Sequence, residues 1–560
     1  MEKVSDLLAL HEQLRQERRL YEQLWQSIAE RVAPSRANFR EHRSMTDEAL
    51  YKGKARTEHI YDATPALALK RFAAALSSLA TPKNRMWHDI KAVDEDLDGD
   101  PQVRAYTELV RDRLFSARYS ANFDVATQEC YLDAGCFGNA CMYVGERLGR
   151  SLYYRHVPLE QVYWCSNDYG EVDWVDREFA LTARQAYQRF GDRLPATVIS
   201  AKERTPNQKF WFVHMVRPRR EREQQRLDAR GMAFESIFIS LTGSQVVGEG
   251  GYRTMPYSIL RFSGDGNYGE GPCALVLPDI KMLNVMNRDM MQAAELAVMP
   301  PMLAARDGIF STGFNLTPGA INYGGVDDQG RQLAIPMQFG NSLPIGMEMM
   351  EQKRQIINDA LWNTLFQILV QTPNMTATEA MLRAQEKGAL LAPAAARVES
   401  EFLEPTITRE IDILAMHEEL PQMPEALMEQ GGEYSIEYTN ELARYRRMDD
   451  GVAIMRSIEQ LGALAQVAGP DVLARVDFDQ AAKVMLEVSG VPARVIRGDD
   501  EVQALMEQRQ EQQAQEMQAQ QQQQILAAAP VAASAAKDLA QAQVLAATAE
   551  QGPMPGVSPG

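Results

Sequence analysis

The chain has 560 residues, of which 45% are hydrophobic and 24% are charged, and its formal net charge is −18. This length exceeds what one hydrophobic core supports, and the composition excludes a wholly disordered chain, so several folded units are expected. The acidic balance excludes a protein whose main task is to clamp a phosphate backbone, because clamping needs dense Lys and Arg.

The sequence has no signal-peptide pattern and no long apolar run, which predicts a soluble, cytosolic protein with no membrane partner. Its five cysteines form no CxxC pair, which argues against a disulfide framework or a zinc site. Buried thiols in a reducing compartment are expected at Cys130, Cys136, Cys141, Cys165 and Cys273. We predict no metal ion and no other cofactor.

The N-terminal region has the pattern of packed helices. Apolar residues recur at spacings of three and four between Leu7 and Val32, which predicts a long amphipathic first helix. Two later helices have start signals in which a capping side chain precedes a proline, at Thr64 and at Asp100. We therefore expect helices up to about residue 138.

After residue 138 the pattern changes to short β-rich runs separated by turns. A helix at residues 182–190, capped by Thr182 and ended by Gly191, interrupts them. The predicted strands are residues 140–144, 152–155, 161–165, 172–179, 210–216, 234–241 and 257–262. Residues 1–272 are thus expected to form an α+β domain in a chain that is mainly α-helical.

Two long helical rods of similar length follow. Residues 273–299 and 345–370 keep apolar side chains at helical spacing, whereas residues 300–344 between them break into short strands and turns. Neither rod has enough apolar surface in its own chain to cover it. The rods therefore predict packing against other copies of the chain.

A short loop at residues 371–376 joins the second rod to a further helix, whose start is a capping box at Thr376. This helix, residues 377–420, contains Pro393 and Pro405, and each proline predicts a kink or a break.

The C-terminal part divides by composition. Residues 421–500 predict a smaller helical unit in which two glycines precede a short strand. Residues 501–560 are rich in Gln and Ala, which predicts a tail that is either helical or disordered.

Two motifs resemble enzyme or metal sites. The GxGxxG at residues 264–269 follows a predicted strand, but turn residues and no parallel βαβ pattern come after it, so a hinge is favoured over a nucleotide site. Residues 94–100 resemble the start of a calcium-binding loop, but Ala105 stands where the bidentate Glu is needed. A solvated acidic loop is favoured there.

No catalytic constellation can be recognised. The chain has no P-loop motif for phosphates, no GxSxG and no HExxH, so an enzyme is not expected. The basic run at residues 217–222 could contact nucleic acid, but its interleaved Glu favours a solvated turn.

The order of rod, β module, rod, short loop and bent helix resembles that of the portal, or head-to-tail connector, proteins of short-tailed double-stranded DNA phages. The resemblance includes the first helix and residues 51–82. It is carried by five short stretches: Gly-Glu-Gly-Pro at 269–272, Leu-Pro-Asp-Ile-Lys at 277–281, Ala-Ala-Glu-Leu-Ala at 293–297, Pro-Pro at 300–301 and Met-Thr-Ala-Thr-Glu-Ala at 375–380.

The resemblance implies a portal fold that assembles as a ring of twelve subunits at one capsid vertex of the virion, after assembly in the host cytoplasm. Implied partners are double-stranded DNA passing without sequence specificity, the terminase packaging motor, major capsid and scaffold proteins, and tail adaptor proteins. The implied parts are a wing at 1–272, stem helices at 273–299 and 345–370, a clip at 300–344, a channel loop at 371–376, a bridging helix at 377–420 and a crown at 421–500.

The channel loop that would face DNA comprises Gln371, Thr372, Pro373, Asn374, Met375 and Thr376. Four basic residues of the rods could face the lumen or pair with nearby carboxylates: Lys281, Arg288, Lys353 and Arg354. Two alternatives stay open, a scaffold or adaptor protein that forms no ring and a nucleotide-binding enzyme that uses residues 264–269.

Overall fold

The computed structural model describes most of the chain up to Asn440 and isolated parts beyond it. The described residues are 3–39, 57, 60–94, 97, 100–147, 150–223, 225–226, 228–264, 266–298, 302–304, 326, 329, 331–332, 334–336, 343–367, 390–429, 431–440, 443, 453–464, 476–478, 480–482, 485, 502, 505, 508, 509, 512 and 540. The chain divides into two compact units, Met1–Asp449 and Asp450–Gly560.

The first unit combines helices with antiparallel sheets. Its helices are α1 (Val4–Val32), α2 (Thr64–Ala80), α3 (Pro101–Ser120), α4 (Phe123–Phe137), α5 (Ala183–Phe190), α6 (Ala196–Arg204), α7 (Pro272–Leu275), α8 (Leu277–Val298), α9 (Leu343–Ala360), α10 (Asn363–Gln367), α11 (Glu404–Met416) and α12 (Glu425–Glu429). Its strands are β1 (His88–Ala92), β2 (Asn139–Arg147), β3 (Arg150–His156), β4 (Val162–Ser166), β5 (Val172–Thr182), β6 (Lys209–Pro218), β7 (Phe234–Ser240), β8 (Gln245–Tyr252), β9 (Tyr257–Arg261), β10 (Met302–Ala304), β11 (Ala334–Pro336) and β12 (Tyr434–Tyr438). The α+β class is confirmed.

The helix start at Asp100 is confirmed, because its carboxylate accepts a hydrogen bond from the Gln102 backbone N–H at 2.7 Å. The cap predicted at Thr64 is wrong by one residue, because the N-cap position is Ala63. Thr64 is itself helical, and the Asp62 carboxylate accepts its N–H at 2.8 Å. The expectation of helices alone up to residue 138 is also wrong, since β1 lies in that stretch and pairs antiparallel with β12.

The larger sheet has the strand order β4-β5-β6-β7-β8, all antiparallel. The first helix packs on one face of it, where His11 lies between the buried carboxylates of Asp176 and Glu178. Helices α5 and α6 cover part of the opposite face through Phe179 and Phe212. The prediction missed α6 and β8.

A second sheet, ordered β3-β2-β9, lies in the main core together with α1, α2 and α4. Trp25, Phe72 and Tyr131 are almost fully buried in this core, and so are Ile280 and Ile357 of the two rods. Helices α1, α2 and α4 thus share one core with the base of the rods, which fixes where the rods begin.

The helix before α11 contains a π-helical turn, Val398–Leu403, that directly precedes Pro405. A proline in a helix lacks an N–H and clashes with the carbonyl four residues earlier, and a wider turn relieves both problems. The helix predicted to kink or break at Pro405 thus continues through it by way of a π-helical turn. Pro393 lies within the helical residues 390–397.

In the second unit, residues 453–464 are helical, in agreement with the helix expected there. Further along, the Asp477 carboxylate accepts the backbone N–H of Gln480 at 3.1 Å at the start of a helical turn. None of the helices described in either unit is both long and apolar enough to cross a membrane.

Candidate functional site

The two rods, α8 and α9, run antiparallel to each other. Near the base, the Lys353 ammonium lies 2.7 Å from the Asp279 carboxylate, and further out Met290 packs over Gly346. A side chain at Gly346 would meet the end of Met290, so this glycine lets the helices approach closely. The second rod is shorter than predicted, because α9 ends at Ala360.

The break after α9 has a clear structural cause. Trp362 has a positive φ of 57°, which a non-glycine residue adopts rarely and which ends the helix. Its ring packs against Phe72 and Phe262 of the core, and the Asn363 side chain donates to the Ala68 carbonyl at 3.2 Å. The base of the second rod is therefore fixed to α2.

A second anchor, which the sequence did not reveal, holds both rods through Tyr61 and Asp62. The Asn284 side chain of α8 accepts the Tyr61 backbone N–H at 2.7 Å, and Asn287 donates to the Tyr61 carbonyl. From α9, two guanidinium nitrogens of Arg354 donate to one oxygen of the Asp62 carboxylate at 3.0 and 3.1 Å. We call this set of contacts the clasp.

The clasp also shifts the titration of Arg354. Burial by itself would lower the pKa of this guanidinium, but the hydrogen bonds and charge of Asp62 outweigh burial, and the pKa is raised. Because the other Asp62 oxygen caps α2, one carboxylate joins α2 to the second rod. The clasp therefore ties both rods to the start of α2.

Each rod also carries an uncovered apolar stripe. On α8 it consists of Met282, Val285 and Leu296, which are 48%, 45% and 39% exposed. On α9 it consists of Ile345, Met349 and Ile356, which are 63%, 45% and 41% exposed.

The spacings within each stripe place its members on one side of a helix, away from the side that contacts the core. Exposed apolar side chains arranged in this way mark a surface for a partner.

The structure separates the four basic rod residues. Lys353 and Arg354 form ion pairs within the chain, with Asp279 and Asp62. Arg288 is exposed and lies 2.8 Å from the carboxylate of its neighbour, Asp289. Lys281 is exposed on α8. That any of these basic residues faces a lumen stays a prediction. The predicted channel loop, residues 371–376, lies outside the described residues.

The helix that follows this loop region is anchored by a buried charge network. Arg118 of α3 donates to both oxygens of the Glu410 carboxylate on α11, and the Tyr154 hydroxyl donates to the same carboxylate at 2.6 Å. Arg118 also lies 2.6 Å from His88 Nε2, which must accept the bond because a guanidinium only donates. Burial and the charges of Arg118 and Arg111 lower the pKa of His88, so its ring is neutral.

The glycines at residues 264–269 have a structural explanation. Their loop follows β9, which lies in an antiparallel sheet, so the parallel unit of a dinucleotide site is not formed here. A Cβ at Gly269 would lie 2.7 Å from the Ser263 carbonyl and 2.9 Å from that of Gly138. Gly269 therefore permits close backbone packing, and the Asn139 side chain bonds both its N–H and its carbonyl at 2.8 Å.

The basic run and the cysteines also have structural roles. The basic run at residues 217–222 is more ordered than predicted, since Arg217 pairs with Glu235 and Arg222 donates to the Gly231 carbonyl at 2.9 Å. Within the part of the chain that the structure describes, no three metal-ligating side chains are grouped. The five cysteines are free thiols, and all are buried except Cys165, which is half-buried.

Helices that expose apolar stripes on a fixed base define a structural subunit of an assembly. Comparison with known proteins agrees: the sequence model of the family described as bacteriophage head to tail connecting protein matches residues 4–496. The chain belongs to this family. Its members are portal proteins of the phage virion, which sit at a capsid vertex and are structural, not enzymatic.

Two curated relatives have the same character. The chain is 26% identical over 509 residues to the portal protein of Salmonella phage epsilon15, which covers 89% of both chains. It is also 26% identical over 518 residues to the probable portal protein of Bordetella phage BPP-1, which covers 90% of this chain and 91% of the relative.

Proposed function

We propose that this portal protein assembles into a closed ring of twelve subunits whose central channel carries double-stranded DNA into and out of the capsid. The observation that carries the proposal is the pair of apolar stripes on α8 and α9. In a cyclic ring, one contact is repeated until it closes, so each subunit buries a stripe against the next subunit. The rods then form the wall of the channel.

The anchors explain why such a wall would be regular. The clasp fixes α8 and α9 to α2, and Trp362 fixes the end of α9 to the core. A ring closes only if every subunit presents its contact surface at the same angle. The rods therefore act as the stem, with residues 1–272 as wing, 300–344 as clip, 377–420 as bridging helix and 421–500 as crown.

The charge of the chain supports a conduit through which DNA slides. Each subunit carries a formal net charge of −18, so most of the ring repels phosphates instead of holding them. The loop at residues 371–376 would touch DNA with Gln, Thr and Asn side chains, which form hydrogen bonds without capturing charge.

Of the four basic rod residues, Lys281 is the best candidate for a weak phosphate contact. It is exposed, and no described carboxylate lies within 4.0 Å of its ammonium group.

The clip would dock the terminase motor during packaging and tail proteins afterwards. Because the chain itself has no phosphate-binding P-loop, the force on DNA would come from the separate motor protein. Assembly would take place in the host cytoplasm, with capsid and scaffold proteins as further partners.

The experiment inserts a charge into the stripe of the full-length protein. Ile356→Glu places a carboxylate where the ring contact would exclude water, and an unpaired charge is costly to bury. We expect native mass spectrometry to show loss of the ring. The monomer should keep its unfolding free energy to within about 0.5 kcal/mol, because the site is exposed in the single chain.

The matched control is Gln355→Glu, which adds the same charge at the adjacent exposed residue, about 100° around the helix. Rings should persist in this variant. Normal rings in Ile356→Glu would refute the stripe as the ring contact.

A further inference from the structure

A groove in the first unit lies far in sequence from the rods and is not used by the proposed channel. It is an open cavity of about 550 Å³ between the end of α5 and the strands β7 and β8. Two arginines, three aromatic residues and several small residues line it, together with one acidic residue, Glu249; the main side chains are Arg189, Phe190, Arg193, Ser236, Phe238 and Tyr252.

The floor of the groove is bare backbone. Along β8, Gly248 and Gly250 pair with Phe238 and Ser236 of β7, so these glycines share the face that the groove occupies. A Cβ built at Gly250 meets nothing closer than 3.9 Å, which shows that this part of the floor is open. β8 is the outermost strand of its sheet, and Arg219 already donates a hydrogen bond to its Gly250 carbonyl at 3.1 Å.

The arginines above the floor are held in place. The guanidinium carbon of Arg189 lies 4.6 Å from the Phe238 ring centroid and 5.4 Å from that of Phe190. The turn after α5 uses Gly191 at a φ of 60°, and Gln245 of β8 donates to the Arg193 carbonyl at 3.2 Å. The Arg189 guanidinium is therefore positioned before any ligand arrives, whereas Arg193 is held through its backbone and its side chain is exposed.

Their charge is not neutralised within the described part of the chain. No described carboxylate lies within 4.0 Å of Arg189 or Arg193. Arg177 adds to the positive potential near Arg189. The guanidinium carbons of Arg177 and Arg189 lie 4.9 Å and 5.8 Å from the Phe179 ring centroid. The Arg177 Nε has no hydrogen-bond partner.

The positive charges of these arginines also lower the pKa of a neighbouring histidine. Burial, and then the charges of Arg189 and Arg177, lower the pKa of His214 well below its usual value. An uncompensated cluster of this kind is unusual in a chain with a net charge of −18.

We propose that this groove binds an acidic, extended segment of a partner protein, with carboxylates on Arg189 and Arg193 and an apolar side chain over Gly250. Arginine forks suit carboxylates because they can donate two parallel hydrogen bonds. The aromatic side walls suit an apolar neighbour in the same segment, and the open floor above Gly250 leaves room for it. A shallow groove of this shape fits a peptide better than an enclosed small molecule.

The test uses the full-length protein and a fluorescein-labelled peptide of alternating Glu and Phe, measured by fluorescence anisotropy. The double variant Arg189→Glu/Arg193→Glu should weaken binding at least about tenfold, because attraction becomes repulsion. Gly250→Leu should weaken it similarly by filling the floor, with no change in melting temperature. The matched control Arg184→Glu, an exposed arginine of α5 outside the groove, should bind like the unmodified protein.

Several outcomes would overturn the proposal. Equal binding by the double variant would show that these arginines do not recognise the peptide. Stronger competition by a DNA oligonucleotide than by unlabelled peptide would assign the groove to nucleic acid. Loss of rings in the double variant, with the monomer still folded, would make a second copy of this chain the occupant.

Discussion

The rods differ from the rest of the first unit, which we call the body, in how their side chains are buried. The body buries charged groups, such as Arg118 with Glu410, inside a core that its own chain completes. The rods leave apolar stripes in water while their base is fixed by the clasp. The difference indicates that the body folds by itself, whereas the rods acquire their full set of contacts only in an assembly.

The largest expected effect is in the body. Glu410→Ala leaves Arg118 buried without its carboxylate, and breaking a buried pair costs about 3–5 kcal/mol. Urea unfolding should show a loss of this size. The matched control is Glu12→Ala, which removes a partly exposed pair with Arg15 and should cost less than about 1 kcal/mol. Equal losses in the two variants would contradict a special role of the buried pair.

The next effect concerns the contact between the first helix and the larger sheet. Burial would lower the pKa of His11, but hydrogen bonds with Asp176 and Glu178 outweigh it and raise the pKa to about 9. A raised pKa in the folded state means that the stabilisation is complete below about pH 6.5, the unfolded value, and is lost as pH rises through 9.

This loss should be on the order of 3 kcal/mol and should appear in unfolding free energies measured between pH 6 and 10. His11→Gln, which cannot carry a charge, should flatten this pH dependence. A flat profile for the unmodified protein would contradict a charged His11.

A smaller effect is expected at the clasp. Asp62→Ala removes both the cap of α2 and the partner of Arg354, which should cost about 1–2 kcal/mol. Asp62→Asn keeps an acceptor for the cap and loses only the charge, so it should cost less. Because the clasp ties both rods to α2, Asp62→Ala should loosen the rods, and the rings should then vary in diameter in electron micrographs. Uniform rings at a normal diameter would show that the clasp does not control ring closure.

The smallest effect is predicted for the C-terminal tail. Deletion of residues 501–560 should leave ring formation unchanged by native mass spectrometry, because the stripes and the clasp lie in the first unit. Loss of rings on deletion would instead favour an adaptor built on the Gln-rich tail.

Local signals in the sequence predicted local structure well. The caps at Thr182 and Asp100 are confirmed, because each depends on contacts within a few residues. The pairing of β1 with β12 was missed because the two strands lie at distant positions in the chain. Periodicity also failed at Trp362, where packing against Phe72 and Phe262 outweighs helical preference.

In the candidate site, too, local features were predicted from the sequence and long-range contacts were not. The sequence predicted two rods with spare apolar surface, because periodicity reveals which side chains share a helix face. It did not predict the clasp, since Asp62 and Arg354 are far apart in the chain and each resembles an ordinary surface charge. It proposed four basic residues as a group, yet two of them form ion pairs that only the tertiary structure reveals.

Electron microscopy of the purified full-length protein in negative stain tests the central claim most directly. We expect annular particles with a central opening, because α8 and α9 bury their apolar stripes only against neighbouring copies. A folded monomer at high protein concentration, with no annular particles under any assembly condition, would contradict this account.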